Sequence, residues 1–370
     1  MNSDNVTVLV MAAGTGGHVF PALSIAEVLA SHSINVEWLG TRHGMENELL
    51  AGTDFKLHQI SVKGLRGSSV LRKLMAPFML FGAFMQSMIV IRRVKPNCIL
   101  GMGGFVCGPA GIAAKLMGKP LLVHEQNAVA GLTNKYLSRI ADRVFEAFPG
   151  TFQSGEKVRH TGNPLRKDIV KLHHLGSSNR QLAQSAALRI LVLGGSQGAA
   201  AINEAIPEVL AQLSGFNTPH VFHQTGSPTF QKTRQQYQSL GLQLDEACRV
   251  VPFIDDMAAA YGWADLVICR SGASTVSEIA AAGRASILIP YPHHKDQQQT
   301  LNAQWLSHEH AAYLLQQAEL SAQSLLKIIR DLQGNRAKLL GLSQRAAAMA
   351  ICDASEVIAE ECLEYANAGR

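Results

Sequence analysis

Aromatic residues are scarce in this sequence: Phe, Trp and Tyr together make up 6% of 370 residues, while glycine alone contributes 32. Charged residues are also few, at 16%, whereas apolar residues reach 47%. A disordered chain shows the opposite balance, so there is ample material to bury in a core. The composition favours Gly-rich turns and close helix–sheet packing over an all-β protein. At this length we expect two domains.

Signals for several other classes of protein are missing. No Lys/Arg run and no RNA-binding motif accompanies the net charge of +5, so we expect no nucleic-acid partner. The six cysteines form no CxxC pair and no His/Cys metal spacing, which favours free thiols in a reducing cytosol. The first ten residues lack a basic segment and run straight into a strand-like stretch, which does not resemble a signal peptide.

Metal candidates are weak. His293, His294 and Asp296 share one loop, but their spacing is poor and no third ligand is evident. The adjacent acids Asp255 and Asp256 are equally weak candidates for binding a metal. We therefore expect neither a metal nor a resident cofactor.

One local pattern occurs twice, about half the chain apart: a β-branched strand, a Gly-rich turn and an Ala/Leu-rich helix. Its parts are Val6–Met11, residues 12–18 (AAGTGGH) and Pro21–Ser31, then Arg189–Leu193, residues 194–199 (GGSQGA) and Ala200–Leu213. This unit opens a doubly wound α/β domain. The repeat predicts two such domains in tandem, with the polar segment Leu172–Ala187 as the linker.

Further strand-like runs follow in each half, separated by helical stretches. They are Val36–Leu39, Cys98–Leu100, Leu121–Val123, Arg249–Phe253, Leu266–Cys269 and Ser286–Pro290. The alternation predicts parallel sheets, whose ligands lie beyond the carboxyl ends of the strands. Ala346–Tyr365 is predicted as a final helix.

Leu74–Ile91 carries no charge across 18 residues and is flanked by basic pairs, Arg72 and Lys73 before it and Arg92 and Arg93 after it. A helix packed on the sheet would bury only one face. A span is disfavoured, since it would put neighbouring strands on opposite sides of a bilayer. We favour peripheral docking on an anionic membrane surface over a buried core helix. The residues assigned to docking are Arg72, Lys73, Met75, Phe78, Met79, Phe81, Arg92 and Arg93.

The polar motifs cluster at strand ends. The first turn is neither GxGxxG nor a P-loop, but its amides precede a helix, where an anion is favoured, and His18 follows directly. His18 can be structural or catalytic on this pattern alone. The second turn suits a diphosphate or is a plain tight turn. Gly101, Gly103, Gly104, Gly108 and Gly111, together with residues 124–127 (HEQN), would add a site wall.

A third motif, residues 269–278 (CRSGASTVSE), starts at a strand end and enters a helix. Ser274 or Thr275 could cap that helix, leaving amides for phosphate. Glu278 could accept two ribose hydroxyls or close a capping box.

In order along the chain, these stretches closely resemble the MurG family of peptidoglycan transferases, which move N-acetylglucosamine from UDP onto lipid-linked N-acetylmuramyl-pentapeptide. The matching pieces are GTGGHVFPAL, WLGT, VKGLRG, GMGGFVCGP, HEQN, GLTNK, GNPLR, GGSQGA, FIDDMAAAY, CRSGASTVSEIAAAG and HKDQQQ. The resemblance implies the GT-B fold class, an α/β architecture of two Rossmann-like doubly wound parallel-sheet domains facing across a cleft. Residues 1–166 with 351–370 would bind the acceptor and the membrane, and residues 167–350 would bind the UDP-sugar.

The resemblance also implies site residues, a direct displacement with inversion at the cytoplasmic face of the inner membrane, and two substrates, UDP-N-acetylglucosamine and undecaprenyl-linked muramyl-pentapeptide. His18 would be the general base, with Glu125 as a second candidate. Gly14, Gly103 and Gly104 would meet the acceptor phosphate. The donor and its transferred sugar would be contacted by Thr15, Gly16, Gly17, Asn127, Arg166, Ser196, Ile254, Ala273, Ser274, Thr275, Val276, Ser277, Glu278, Gln298 and Gln299.

Two other functions stay open on the sequence. One is another UDP-sugar enzyme of the same fold, such as an N-acetylglucosamine 2-epimerase, which would not need a membrane helix. The other is a non-catalytic nucleotide-binding protein recruited to membranes.

Overall fold

The computed structural model describes residues 6–62, 70–176, 187–195, 198–213, 218–294 and 296–368, with the backbone alone described for 70–74. Contacts within the chain divide it into two compact units. Unit 1 comprises Met1–Arg166 and Ile351–Arg370, and unit 2 comprises Lys167–Ala350.

Unit 1 is built on a seven-stranded parallel sheet in the order β3-β2-β1-β4-β5-β6-β7. Its strands are β1 (Thr7–Met11), β2 (Asn35–Thr41), β3 (Lys56–Ile60), β4 (Cys98–Gly101), β5 (Leu121–Glu125), β6 (Arg143–Glu146) and β7 (Val158–His160). Its helices are α1 (Gly16–Ser31), α2 (Glu46–Leu49), α3 (Val70–Val94), α4 (Cys107–Leu116), α5 (Leu132–Ile140) and, from the end of the chain, α14 (Ala354–Ala368). Two apolar clusters cover the two faces of the sheet.

Unit 2 repeats the plan with six parallel strands in the order β10-β9-β8-β11-β12-β13. They are β8 (Arg189–Leu193), β9 (His220–Gln224), β10 (Cys248–Val251), β11 (Leu266–Cys269), β12 (Ala285–Leu288) and β13 (Tyr313–Leu314). The helices are α6 (Lys167–His174), α7 (Ala200–Gln212), α8 (Phe230–Ser239), α9 (Met257–Trp263), α10 (Ala273–Ala282), α11 (Gln298–His308), α12 (Ala322–Gly334) and α13 (Arg336–Ala348). In both units the first strand lies inside the sheet, so the predicted doubly wound α/β class is confirmed.

Two predicted segments differ most from the structure; elsewhere the bounds shift, since α1 begins at Gly16 rather than Pro21 and β10 ends at Val251 rather than Phe253. The helix predicted over Ala346–Tyr365 is two helices, because α13 ends at Ala348 and α14 begins at Ala354, where the chain passes from unit 2 to unit 1. The predicted linker Leu172–Ala187 begins inside α6, whose helix runs to His174, and its residues 177–186 lie outside the described part of the chain.

Helix α3 contains the uncharged run. It is the one helix in the described chain that is long and apolar enough to cross a membrane, over Met75–Val94. Small or apolar residues, Ala76, Ala83, Ser87 and Ile91, are buried on one side of it. Only 22% of this apolar stretch is buried, so α3 is not a buried core helix. Its exposed large apolar residues are Met75, Phe78, Leu80, Phe81, Met85 and Ile89.

Candidate functional site

In unit 1 the strand order reverses between β1 and β4, and ligands of doubly wound sheets bind beyond the carboxyl ends of such strands. The loops that follow these two strands touch. Gly104 has a φ of +85°, and a Cβ at this position would lie 2.5 Å from the carbonyl oxygen of Ala13. A side chain there would therefore force the loops apart, and only glycine permits this approach.

His18 lies in the first turn of α1, with its ring against the β4 loop. A Cβ on Gly103 would lie 2.8 Å from the ring carbon Cδ2. Burial lowers the pKa of His18, and the charge of Glu125 and the backbone of Ala13 offset that effect only in part. The buried Nδ1 atom has no hydrogen-bond partner among the described residues. The imidazole is thus neutral near pH 7 and able to accept a proton.

Glu125, the second predicted base, is an anchor in this structure. One carboxylate oxygen accepts from both the backbone and side-chain amides of Asn127, each at 3.1 Å. The other accepts from the Gly131 amide at 3.0 Å and from Asn134 Nδ2 at 2.9 Å. Four donors occupy the two oxygens, so Glu125 holds the loop that leads into α5, and it acts on His18 through its charge.

The neighbours of Glu125 form a buried polar cluster. His124 Nε2 lies 3.1 Å from the Gly162 carbonyl, and burial lowers the pKa of His124 to about 4. Gln126 Nε2 donates to the Met102 carbonyl at 2.9 Å. Its Oε1 is buried without a described partner and faces the β4 loop, 3.6 Å from where a Gly103 Cβ would be. The cluster therefore leaves one acceptor beside the His18 ring.

The first Gly-rich turn supplies fewer amides than its sequence suggests. The amide of Gly14 donates to the buried carboxylate of Glu46 at 3.1 Å, so Gly14 contributes its backbone geometry, with φ at +101°, rather than a donor. Thr15 is the N-cap of α1 and makes no side-chain cap bond. Gly16 and Gly17 begin the helix. The His18 amide donates to the Thr15 carbonyl at 3.0 Å, so the amides of Gly16 and Gly17 are the ones placed to bind an anion.

Two of the glycines predicted to line the site, Gly108 and Gly111, lie next to α5. A Cβ on Gly111 would lie 2.7 Å from Leu137 of α5, and one on Gly108 would lie 3.6 Å from Thr133. Both positions lie within α4. Only Gly111 is required for the close approach of α5, because a Cβ on Gly108 would make an ordinary van der Waals contact.

In unit 2 the corresponding reversal lies between β8 and β11. The amides of Gly194, Gly195 and Gly198 all donate within the protein, to the Gln224 carbonyl at 2.7 Å, Gln224 Oε1 at 3.0 Å and the Gly195 carbonyl at 3.1 Å. These three amides therefore do not form a phosphate cradle. The predicted donor residue Ser196 lies outside the described residues.

Gln224 is a residue that the motif reading missed. Besides its bond to the Gly195 amide, its Nε2 lies 3.2 Å from the Gly195 carbonyl and 3.4 Å from that of Pro252. It thereby joins the loops after β8 and β10. No motif marks it, because strand β9, which it ends, was not among the predicted strands.

The third motif opens α10, whose N-cap is Gly272 and not Ser274 or Thr275 as predicted. Helix α10 begins at Ala273, so the polar residues lie inside its first turn. Ser274 Oγ is buried without a described partner. Glu278 lies farther along the helix than a capping box requires, and it accepts from the Tyr261 hydroxyl at 3.1 Å. Val276 and Ser277 are buried between these positions.

Hydrogen bonds join the start of α11 to this motif. Ser271 Oγ donates to the Gln299 carbonyl at 2.8 Å, and Asn302 Nδ2 to the Ser271 carbonyl at 3.2 Å. Gln298 is the first residue of α11, and Gln299 Oε1 accepts from the Tyr291 amide at 2.9 Å. The structure therefore brings Gln298 and Gln299 to the first turn of α10.

The remaining predicted contacts lie on other segments of the two units. Ile254 is buried in the segment between β10 and α9. Arg166 places its guanidinium 5.8 Å from the ring centre of Phe20 in unit 1. On α3, Met75, Phe78 and Phe81 are exposed, Met79 is half-buried, and Arg92 and Arg93 are exposed; the side chains of Arg72 and Lys73 lie outside the described residues.

The weak metal candidates have other roles. Asp256 caps α9 by accepting from the Ala259 amide at 2.8 Å. His293 and His294 stack edge-on against Tyr291, with ring centres 5.1 and 5.3 Å away. Within the described ranges, no group of three His, Cys, Asp or Glu residues could hold a metal ion.

Known proteins resemble the chain along nearly its whole length. The model of the glycosyltransferase family 28 N-terminal domain matches residues 8–146, and that of the family's C-terminal domain matches residues 189–358. The UDP-N-acetylglucosamine–N-acetylmuramyl-(pentapeptide) pyrophosphoryl-undecaprenol N-acetylglucosamine transferase of Azotobacter vinelandii is 45% identical over 97% of this chain and 99% of its own. The protein of the same name from Shewanella sp. (strain MR-4) is 47% identical over 98% of each.

Solved structures agree with the sequence comparison. The crystal structure of Acinetobacter baumannii MurG has a TM-score of 0.82 and 40% identity, and the match covers 97% of this chain and 100% of that one. A putative UDP-N-acetylglucosamine 2-epimerase from Listeria monocytogenes has a TM-score of 0.67 at 14% identity, with 96% of this chain and 95% of that one covered, a likeness of fold alone. The expected GT-B fold class is confirmed.

Proposed function

The chain belongs to glycosyltransferase family 28, and from that premise we propose that it transfers N-acetylglucosamine from UDP-N-acetylglucosamine to the 4-hydroxyl of undecaprenyl-pyrophosphoryl-N-acetylmuramyl-pentapeptide, with inversion at the anomeric carbon. The observation that carries this proposal is the near-full-length match to transferases named for that reaction. The product would be the disaccharide-linked lipid precursor of peptidoglycan.

Unit 1 is proposed to bind the acceptor. The first-turn amides of α1 and the backbone of Gly103 and Gly104 would meet its pyrophosphate, since helix amino termini favour anions. His18 would take the proton of the attacking hydroxyl as the bond to the anomeric carbon forms. Its lowered pKa keeps the imidazole in the required neutral state, and the unpartnered Gln126 Oε1 could accept a second hydrogen bond from the acceptor.

Unit 2 is proposed to bind the donor. As the bond between the anomeric carbon and UDP breaks, charge develops on the departing pyrophosphate, and the first-turn amides of α10, Ala273 to Thr275, would stabilise it. Arg166, which belongs to unit 1, is also proposed to contact the donor. Glu278, already oriented by Tyr261, would accept from the ribose, Gln298 and Gln299 would contact the sugar hydroxyls, and the backbone of Ile254 would pair with the uracil ring.

The enzyme is further proposed to dock on the anionic cytoplasmic face of the inner membrane through unit 1. The exposed apolar residues of α3 support this, with Arg92 and Arg93 at one end of the helix. Helix α4, which packs on α3, adds exposed Ile112 and Leu116, and α5 adds Leu132, Tyr136 and Ile140. Each basic side chain near an anionic leaflet contributes about 1 kcal/mol.

The decisive experiment measures UDP release from UDP-N-acetylglucosamine with and without the lipid-linked muramyl-pentapeptide acceptor. We expect UDP to be released only when the acceptor is present, with one UDP released for each disaccharide product formed. Release or sugar epimerisation without any acceptor would indicate a 2-epimerase. Binding of UDP with no turnover under either condition would indicate a non-catalytic nucleotide-binding protein.

A further inference from the structure

Glu46 is a buried carboxylate that no motif identifies. It is the first residue of α2, and its exposed fraction is 0%. Oε1 accepts from the Thr41 amide at 2.7 Å and from the Thr41 hydroxyl at 2.8 Å. Oε2 accepts from the Gly14 amide at 3.1 Å. The carboxylate thus joins the end of β2 to the Gly-rich turn after β1.

The space around Glu46 is shaped for a carboxylate. A Cβ on Gly44 would overlap its oxygens, and one on Gly40 would lie 2.7 Å from its Cγ. Within the described residues Glu46 forms no ion pair, so its three hydrogen-bond donors alone offset the cost of burying the charge. A buried charge satisfied in this way holds its partners in one geometry, because losing any donor leaves it under-solvated.

The partner that matters for function is Gly14. Its φ of +101° is strained for any other residue, yet a Cβ there would meet nothing within 4 Å. The position therefore requires a backbone conformation, not space, and the Glu46 bond fixes that conformation. The Met45 amide, 3.4 Å from the Gly14 carbonyl, holds the other side of the same residue.

We infer that Glu46 is a positioning residue for the acceptor half of the reaction: by holding Gly14 it sets the turn that presents His18 against Gly103 and leaves the amides of Gly16 and Gly17 to the acceptor pyrophosphate. The inference rests on the proposed function. It predicts a defect confined to the acceptor, because unit 2, which would bind the donor, does not contain Glu46.

The test substitutes Glu46→Gln, which keeps size and the acceptor oxygen for Thr41 but turns an amide NH2 towards the Gly14 N–H. We expect kcat/KM for the lipid-linked acceptor to fall about 10- to 100-fold, the equivalent of one charge-assisted hydrogen bond, while the Kd for UDP stays within about twofold. Glu48→Gln is the matched control, since Glu48 is an exposed glutamate of the same helix, and it should leave both values unchanged.

A second measurement does not depend on turnover. In protein labelled with ¹⁵N-glycine, the Gly14 amide should exchange with solvent slowly in wild type and at least about tenfold faster in Glu46→Gln. Absence of transfer by the wild type would defeat the proposed function, while the exchange rates would still decide whether Glu46 anchors the turn.

Gly14→Ala offers a route should Glu46→Gln fail to fold. Because it strains the same conformation without a steric clash, it should give the same acceptor-specific loss with UDP binding intact. Full acceptor kcat/KM in either variant, equal Gly14 exchange in wild type and Glu46→Gln, or an equal loss of UDP affinity would overturn the inference.

Discussion

At the scale of single residues, the chemistry depends on how much water the fold removes from one imidazole. His18 is polar, yet the close approach of the β4 loop, made possible by Gly103 and Gly104, covers its ring. Desolvation disfavours the imidazolium and lowers the pKa of His18. The glycines therefore shape the loop and also set the protonation state of the residue proposed as the base.

The His18→Ala variant tests that role. Removing a general base costs about 10²- to 10⁴-fold in kcat, whereas UDP binding in unit 2 should stay unchanged. Steady-state kinetics and calorimetric UDP titration measure the two effects separately. His32→Ala, an exposed histidine at the end of the same helix, is the control. Undiminished turnover in His18→Ala would remove the residue from the mechanism.

The pH profile gives an independent check. A pKa lowered from 6.5 means that the folded enzyme keeps a neutral His18 at more acidic pH than free histidine would. The acidic limb of kcat/KM, which reports the free enzyme, should therefore lie below pH 6.5 and be lost in His18→Ala. A wild-type limb at or above pH 6.5 would contradict the assignment.

At the scale of elements, helices α3 and α14 of unit 1 differ in how much apolar surface they leave exposed to solvent. Helix α14 buries Ile358, Ala359, Cys362 and Ala366 in the core of unit 1. Helix α3 instead leaves Phe78 at 73% and Phe81 at 64% exposure. Exposed aromatic residues on one helix, with basic residues at its end, are typical of a surface that binds a membrane.

Paired Phe78→Ser and Phe81→Ser substitutions should weaken sedimentation with vesicles containing anionic lipid by at least about tenfold, since each lost aromatic contact removes more than 1 kcal/mol of burial. Leu240→Ser, an exposed apolar residue of unit 2, is the control and should sediment like wild type. Equal sedimentation of the paired variant would show that α3 does not dock.

The contact of α14 with its unit depends on an ion-pair cluster. Glu361 accepts from Arg143 at 2.6 Å and from Arg159 at 2.8 Å. Burial alone would raise the pKa of Glu361, but the two arginines outweigh it and the net pKa is lowered. A lowered carboxyl pKa contributes stability above the unfolded-state value, which is lost as the pH falls through the folded-state value.

We expect Glu361→Gln to reduce the free energy of unfolding by about 1–3 kcal/mol at pH 7, and to make a smaller difference at pH 3, below the unfolded-state pKa of 4.5. Urea denaturation at both pH values measures this. Glu360→Gln removes an exposed neighbouring charge and should have no effect. A variant as stable as wild type at pH 7 would show that the cluster does not hold the helix.

At the scale of the whole molecule, both units bury histidines at the carboxyl side of their sheets. Burial lowers the pKa of His124 to about 4 and that of His223 to about 3, while His18 is lowered as well. Below pH 6.5 the unfolded chain binds protons that the folded chain excludes. Stability should therefore fall as the pH drops from 6.5, by up to about 1.4 kcal/mol per pH unit for each such histidine.

Urea denaturation between pH 7.5 and 5 tests this in both units. His223 lies between Tyr237, 2.9 Å from Nδ1, and Asn203, 3.0 Å from Nε2. When His223 is replaced by Gln, unfolding of unit 2 should take up as much as one proton fewer in this pH range. The free energy of unfolding should therefore change less steeply with pH, whatever the change in its absolute value. If the free energy of unfolding of the variant has the same slope against pH as that of wild type, His223 is not a source of the pH dependence.

Local patterns in the sequence were enough to predict the class of fold and the position of the site loops. β-branched strands, Gly-rich turns and amphipathic helices are local signals, and in a doubly wound sheet the loops after the first and fourth strands of each unit must meet. His18, Gly103 and Gly104 were therefore recognisable from their places in the chain.

Which polar groups are engaged was decided only by tertiary structure, because a hydrogen bond depends on what folding brings near. The amides of Gly14, Gly194 and Gly195 looked available and are bonded to Glu46 and Gln224, residues 32 and about 30 positions away. Glu125 looked like a base and is an anchor. No local pattern encodes such pairings, since they join segments that are adjacent only after the sheet has formed.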